Sequence, residues 1–208
     1  MVAVIDPKKN KTPDTADFSA KNTYDLEHRV IAATDALGKT TSNTYDKDSL
    51  TVAGRDAEGN ETLYTYDERG KTTEVKVPYK RTDDGIVHRT TRYEYDQVGN
   101  PVRVITPRGT ATGDPDDFAA RTEYDALNRP VKQFQPYDPA DSRYNSADVY
   151  TQTFYDQVGR VSRTSLPPSE GQRARNDTTY TYFDNGWARS SKDPWDIVTT
   201  YDLSLIHI

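Results

Sequence analysis

A Tyr-Asp pair recurs at Tyr24–Asp25, Tyr45–Asp46 and Tyr66–Asp67, 21 residues apart each time. Between these pairs stand two further turn signals, Asp35-Ala-Leu-Gly38 and Asp56-Ala-Glu-Gly59. The five aspartates Asp25, Asp35, Asp46, Asp56 and Asp67 therefore fall 10, 11, 10 and 11 residues apart. A fixed period near 20 residues requires one supersecondary unit stacked on copies of itself. Asp followed three residues later by Gly suits a type I turn whose last residue needs a positive φ. Such a turn closes a β-hairpin with a one-residue bulge. The runs between turns, such as Lys39–Tyr45 and Asn60–Tyr66, are rich in Thr and Tyr, which favour a pleated, half-buried surface. One repeat is then two antiparallel strands and two turns. His28 and Ser49 take the positive-φ place in their turns, where Gly would fit better.

Past Tyr66 the period lengthens. The pairs continue as Tyr95–Asp96, Tyr124–Asp125, Tyr155–Asp156, Phe183–Asp184 and Tyr201–Asp202, at spacings of 29, 29, 31, 28 and 18. The turn residues that follow are Gly70, Gly99, Asn128, Gly159 and, one place early, Gly186. Asn is the best non-Gly occupant of the left-handed region. Eight residues after each turn residue comes a proline, at Pro78, Pro107, Pro136, Pro167 and Pro194. Proline donates no ladder hydrogen bond, so each is expected to end an outgoing strand. The variable stretches that follow, 80–87, 108–118, 137–147 and 168–176, are expected to be loops on one rim.

Period-two patterning supports the strands: Thr62, Tyr64 and Tyr66 share a face, as do Thr91, Tyr93 and Tyr95. In 179–183 the pattern is muddied by Tyr180 and Tyr182, and helical periodicity is absent throughout. The fold class expected is all-β: a curved antiparallel sheet of about seven hairpin units over residues 1–202, open at both ends. Residues 8–21 read as a loop, and 203–208 abandon the pattern as a tail of non-native character.

Composition agrees with a thin sheet rather than a thick core. Hydrophobic residues make up only 33%, and 15 tyrosines outnumber five phenylalanines and two tryptophans. Tyr buries its ring while keeping its hydroxyl wet or bonded. The net charge of −6 is dispersed, so no basic nucleic-acid surface is expected. No apolar run reaches membrane-spanning length, and the N-terminus lacks signal-peptide character. With no cysteine there are no disulfides or thiolate metal sites.

Seven or more turn aspartates invite a catalytic reading, but each stands where Asp bonds its own turn backbone. A glycosidase needs one unique carboxylate pair across a cleft. The tyrosines could stack on sugars; their recurrence at one ladder position favours cross-strand packing. Asp114, Asp116 and Asp117 do not have EF-hand spacing and read as a solvated loop. His28, His88 and His207 show no metal or triad spacing. No catalytic residue, cofactor or metal is therefore expected. Asn10, Asn60 and Asn176 open glycosylation sequons that matter only in a secreted eukaryotic protein.

The motif Tyr66-Asp-Glu-Arg-Gly70, with Tyr95-Asp-Gln-Val-Gly99 and Tyr155-Asp-Gln-Val-Gly-Arg160, resembles the YD repeat of the Rhs and teneurin-like proteins, from about Val2 to Asp202. The resemblance implies a β-ribbon that spirals into a hollow shell. In bacterial members that shell encloses a C-terminal toxin domain; in animal teneurins it is part of a cell-surface adhesion receptor. This chain is too short to close a shell and carries neither the motif that ends one nor a toxin domain. The resemblance thus implies a structural wall segment of a larger secreted or cell-surface protein, partnered by neighbouring YD repeats and an enclosed toxin domain. The alternative is an adhesion or carbohydrate-binding module using exposed aromatics, among them Tyr93, Tyr180 and Trp195.

Overall fold

The computed structural model describes residues 2–5, 19–112, 114, 116–136, 138, 140, 149–169 and 174–202. The fold is all-β and antiparallel: the described residues form sixteen strands in one open sheet, and among them the spatial order is chain order, without crossover. The chain divides into two compact units, Met1–Tyr93 and Glu94–Ile208.

The first unit contains β1 (Val2–Ile5), β2 (Ser19–Tyr24), β3 (Val30–Thr34), β4 (Thr40–Tyr45), β5 (Thr51–Arg55), β6 (Glu61–Tyr66) and β7 (Thr72–Thr82). It also holds most of β8 (Gly85–Tyr95). Each strand pairs with the next. At each Tyr-Asp hairpin the register slips by one, as the turn geometry requires. Thr23 faces Ala32 while Tyr24 faces Val30, which leaves Ile31 as the bulged residue. Val52 and Thr73 are bulged in the same way.

The second unit contains β9 (Pro101–Ile105), α1 (Pro107–Thr112), β10 (Ala119–Tyr124), β11 (Pro130–Phe134), β12 (Tyr150–Tyr155), β13 (Val161–Leu166), β14 (Asn176–Tyr182), β15 (Ala188–Lys192) and β16 (Val198–Thr200). The bulge recurs at Val131, Ser162 and Arg189. Among the described residues the buried ones are Ile105, Gly109, Ala119, Phe134 and Ser165. The apolar interior is thus small, as the composition requires, and hydrogen bonding between successive hairpins carries much of the order.

Three expectations need correction. Residues 108–118 are not a plain loop: they open with the short helix α1, with Pro107 at its first position, where a missing N–H costs nothing. Gly109 in that helix is buried because the chain folds back over it; a Cβ there would lie 2.1 Å from the Asp117 carbonyl oxygen. Pro78 does not end its strand. It lies inside β7 beside an irregularity that leaves Tyr79 unpaired, a place where Pro is tolerated. Residues 80–87 are accordingly not a loop but the end of a longer hairpin, with Thr82 facing Gly85. Pro194 does mark a strand end: it stands two residues past β15, as Pro107 does past β9 and Pro136 past β11, within a turn opened by Asp193 and with Asp196 at φ 65°. Much of the expected loops 8–21, 137–147 and 168–176, and the tail 203–208 with His207, lie outside the described residues.

Candidate functional site

The aspartate turns are the recurring constellation of this chain, and every one is built alike. In the first, the Asp25 amide donates to the Arg29 carbonyl at 3.0 Å and the His28 amide donates to the Asp25 carbonyl at 3.2 Å. The carboxylate then closes the turn from within. Asp25 Oδ1 accepts the amides of Glu27 and Arg29, each at 2.9 Å. The same two bonds, to the residues two and four places on, recur at Asp35, Asp46, Asp56, Asp67, Asp96, Asp125, Asp156 and Asp193. The fourth turn residue takes the left-handed conformation: His28 (φ 64°), Ser49 (63°), Gly70 (75°), Gly99 (97°), Asn128 (59°), Gly159 (90°) and Gly186 (89°).

Antiparallel alternation puts every Tyr-Asp turn of a unit at the same end of its strands, and the turns are fastened to one another. At the turns led by Tyr45, Tyr66, Tyr124, Tyr155 and Tyr182, that Tyr reaches back to the preceding hairpin. Its hydroxyl donates to the carbonyl of the first residue of that hairpin's outgoing strand: Tyr45 to Val30 at 2.9 Å and Tyr66 to Thr51 at 2.7 Å in the first unit. In the second unit Tyr124 donates to Pro101 at 3.1 Å, Tyr155 to Pro130 at 3.0 Å and Tyr182 to Val161 at 2.7 Å. A bonded hydroxyl is what lets a half-buried Tyr stand where Phe would leave a carbonyl short of a donor.

A second fastener runs the other way and was not singled out by the motif. Four residues after the turn aspartate stands Arg29, Arg129 or Arg160. Each pairs with its own aspartate, at 2.7, 2.6 and 2.7 Å. Each also lies over the latch tyrosine of the next turn: Arg29 over Tyr45 at 4.8 Å, Arg129 over Tyr155 at 4.3 Å and Arg160 over Tyr182 at 4.6 Å. Arg29 Nη1 donates on to the Asp46 carbonyl and to Ser49, and Arg160 Nη1 to the Phe183 carbonyl. Other residues at this place do related work. Asn100 donates both to Asp96 and to Asn128 of the next turn. Leu50 covers Gly70, where a Cβ would be 3.7 Å from its Cδ1.

The tandem clamp also fixes the register that sequence spacing misassigned. Phe183–Asp184 is not a Tyr-Asp pair. Phe183 itself holds the aspartate place, with its amide bonded to the Trp187 carbonyl and its carbonyl to the Gly186 amide. Tyr182 is the latch. Lacking a carboxylate at the first position, this turn uses Asn185, whose Oδ1 accepts the Trp187 amide at 3.1 Å. The missed signal was the constant interval of four from latch Tyr to left-handed residue, which runs 24 to 28, 45 to 49, 66 to 70 and 182 to 186. Tyr201 does follow β16, its amide bonded to the Arg189 carbonyl at 2.9 Å, and the chain after Asp202 lies outside the described residues.

Electrostatics follows geometry. Asp25 is held below the ordinary aspartate range, first by the Arg29 amide; desolvation pushes the other way and is outweighed once the Arg29 guanidinium and the Glu27 amide add to that bond. The Arg129 side chain does the same for Asp125, and the Asn60 side chain for Asp56. Asp67 is lowered chiefly by the Lys71 amide. At Asp96 and Asp156 desolvation is the largest single influence and pushes up, but it is outweighed by the bonds from Asn100 and Arg160 with the turn amides. Tyr66 is raised, mainly by desolvation. These carboxylates are strongly ionised acceptors, the reverse of a general acid, which requires a raised value.

Asp114, Asp116 and Asp117 do not converge on a cation. Asp114 accepts the Asp116 amide, and Asp116 pairs with Arg103 at 3.1 Å. Among the described residues no group of His, Asp and Glu has the arrangement of a metal site. Tyr93 and Tyr180 are half-buried. Trp187 and Trp195 are 65% and 73% exposed, but they belong to turns at opposite ends of the strands and form no common platform. No helix among the described residues is long and apolar enough to cross a membrane.

No protein-family model matches the chain, and no curated protein does. Solved structures to which it is similar include the TcdB2-TccC3 complex without its hypervariable C-terminal region, at 15% identity and TM-score 0.39 over 88% of this chain. TcdB2-TccC3-Cdc42 is similar at 14% identity and TM-score 0.32 over 84% of the chain. The Tc holotoxin pore of Photorhabdus luminescens is similar at 13% identity and TM-score 0.29 over 85%. The chain spans only 13–14% of the length of these proteins. A likeness at these identities and scores carries no argument about family or function.

Proposed function

We propose that the chain is a non-catalytic wall segment of an Rhs/YD-repeat shell, which encloses or presents a toxin or other partner domain within a larger secreted or cell-surface protein. The observation behind this reading is the clamp between successive turns. The polar chemistry of the repeat motif is consumed in holding one hairpin to the next: carboxylate to its own turn, guanidinium to that carboxylate and the next tyrosine, hydroxyl back to the previous strand. A repeat that contacts only its neighbours extends by addition and builds surface rather than a cleft. The function that follows is containment: a continuous hydrogen-bonded sheet separates a cargo from its surroundings until delivery.

The test uses the longer protein of which such a segment is part. Negative-stain imaging should show a hollow particle, and a domain downstream of the repeats should resist protease until the particle is opened. Solid particles, or a downstream domain cleaved as fast as in isolation, would reject containment. The adhesion reading has its own assay: glycan-array binding by this segment, lost on Tyr93→Ala with Tyr180→Ala. Containment expects no such binding.

A further inference from the structure

The Phe183 turn differs from its relatives in how it is held. Elsewhere a carboxylate at the first place accepts two turn amides, as Asp156 does from Val158 and Arg160. Here the first place is Phe183, and the turn keeps a single substitute, the bond donated by the Trp187 amide to Asn185 Oδ1 at 3.1 Å. Asn185 and Gly186 are both exposed, Gly186 stands at φ 89°, and a Cβ there would meet nothing within 4 Å. They form the one Asn-Gly sequence of the chain; every other asparagine precedes a residue with a side chain. Glycine leaves its main-chain nitrogen unscreened.

We propose that Asn185 is a self-modification site, where the side-chain amide is lost by cyclisation onto the Gly186 nitrogen. That nitrogen hands its proton to hydroxide and bonds to Asn185 Cγ. The bond from Cγ to Nδ2 then breaks, and Nδ2 leaves as ammonia after taking a proton from water, which regenerates the hydroxide. The product is a cyclic imide that keeps Oδ1 as a ring carbonyl. Water opens the ring on the side-chain side to give aspartate, or on the main-chain side to give isoaspartate; water is the sole co-reactant. The Trp187 amide already donates to Oδ1, the oxygen that gathers negative charge when Cγ becomes tetrahedral, and a donor placed there in advance lowers such a barrier.

The gate is local opening, because the Gly186 amide donates to the Phe183 carbonyl at 2.9 Å and must be released first. Bonds to a carboxylate are stronger than neutral ones. A turn held by two of them therefore opens less often than this one, by at least about tenfold. Isoaspartate lengthens the main chain inside a four-residue turn. The bonds that join Phe183 to Gly186 and Trp187 then cannot both persist, and the Tyr182 latch on Val161 loosens. The inference does not depend on the shell reading, and its failure would leave that reading intact.

The test holds the folded chain at mildly alkaline pH and maps it by mass spectrometry after digestion. Asn185 should convert to aspartate and isoaspartate, with ammonia released in step, while the other asparagines stay intact. Val158→Asn puts the same dipeptide at the same place of a turn that keeps Asp156, with Gly159 at φ 90°, and should convert at least about tenfold more slowly. Phe183→Asp gives the Asn185 turn its missing carboxylate and should slow Asn185 by a similar factor. Circular dichroism checks that both variants keep the sheet. Equal rates at Asn185 and in Val158→Asn would overturn the role of the missing carboxylate. Asn185 left intact in the folded chain, while the chain unfolded in guanidinium converts, would overturn the site itself.

Discussion

Removing the latch hydroxyl from one tyrosine, and from a neighbour that makes no latch, separates the clamp from mere ring packing. Tyr66 and Tyr64 lie two residues apart on β6, half-buried on the same face. The Tyr66 hydroxyl donates to the Thr51 carbonyl at 2.7 Å, whereas the Tyr64 hydroxyl has no hydrogen-bond partner among the described residues. Tyr66→Phe keeps the ring and deletes one neutral hydrogen bond, worth about 1 kcal/mol net. Tyr64→Phe deletes a hydroxyl that bonds nothing in the fold, so its cost should stay below about 0.5 kcal/mol. With a urea dependence of about 2 kcal/mol per molar, Tyr66→Phe should lower the unfolding midpoint by about 0.5 M. Tyr64→Phe should barely move it. Urea melts followed by circular dichroism and by tryptophan-independent amide exchange give the two numbers. Equal costs for the two substitutions, or no measurable cost at Tyr66, would refute the claim that the hydroxyl fastens one hairpin to the next.

Three further outcomes follow from particular sites. Gly109→Ala should cost about 1–3 kcal/mol in a thermal or urea melt, because its Cβ would meet the Asp117 carbonyl, which is backbone and cannot swing away. His28→Gly should stabilise the chain by about 0.5–1 kcal/mol, since His28 sits at φ 64° and an L side chain is strained there; a lower melting temperature would contradict this. Acid should loosen the turns in a defined window. Asp25, Asp56, Asp67, Asp96, Asp125 and Asp156 all have folded-state values below 3.8, so their contribution is complete above that pH and is lost as pH falls through the lower folded values. Thermal melts should be flat from neutrality to about pH 5 and decline below about pH 4; a decline centred above pH 5 would point to other groups.

Much of this fold is legible in the residues because turn chemistry is local. Asp followed by a left-handed residue three places on specifies the reversal, the bulge and the register together, even where His28, Ser49 or Asn128 replaces Gly. What was not legible depends on contacts beyond the hairpin. Pro78 looked like a strand end, yet an edge irregularity accommodates it inside β7. The helix α1 is six residues long, too short for any periodicity to announce it, and it is fixed by Asp117 crossing over Gly109. Phe183–Asp184 was misread because an aromatic-Asp dipeptide outweighed the interval from Tyr182 to Gly186. The arginines at 29, 129 and 160 were visible as a recurrence, but their role is to reach the next turn, 16 to 26 residues further on, and spacing alone does not say which way a guanidinium turns.

The central claim is that each Tyr-Asp hairpin is clamped to the one before it in chain order. Nuclear Overhauser spectroscopy of the labelled chain tests it most directly, through contacts from the ring protons of Tyr45, Tyr155 and Tyr182 to the first residue of the preceding outgoing strand. The account expects Tyr45 beside Val30, Tyr155 beside Pro130 and Tyr182 beside Val161. Rings that contact strands distant in the sequence, or Phe183 found in the place given to Tyr182, would contradict it.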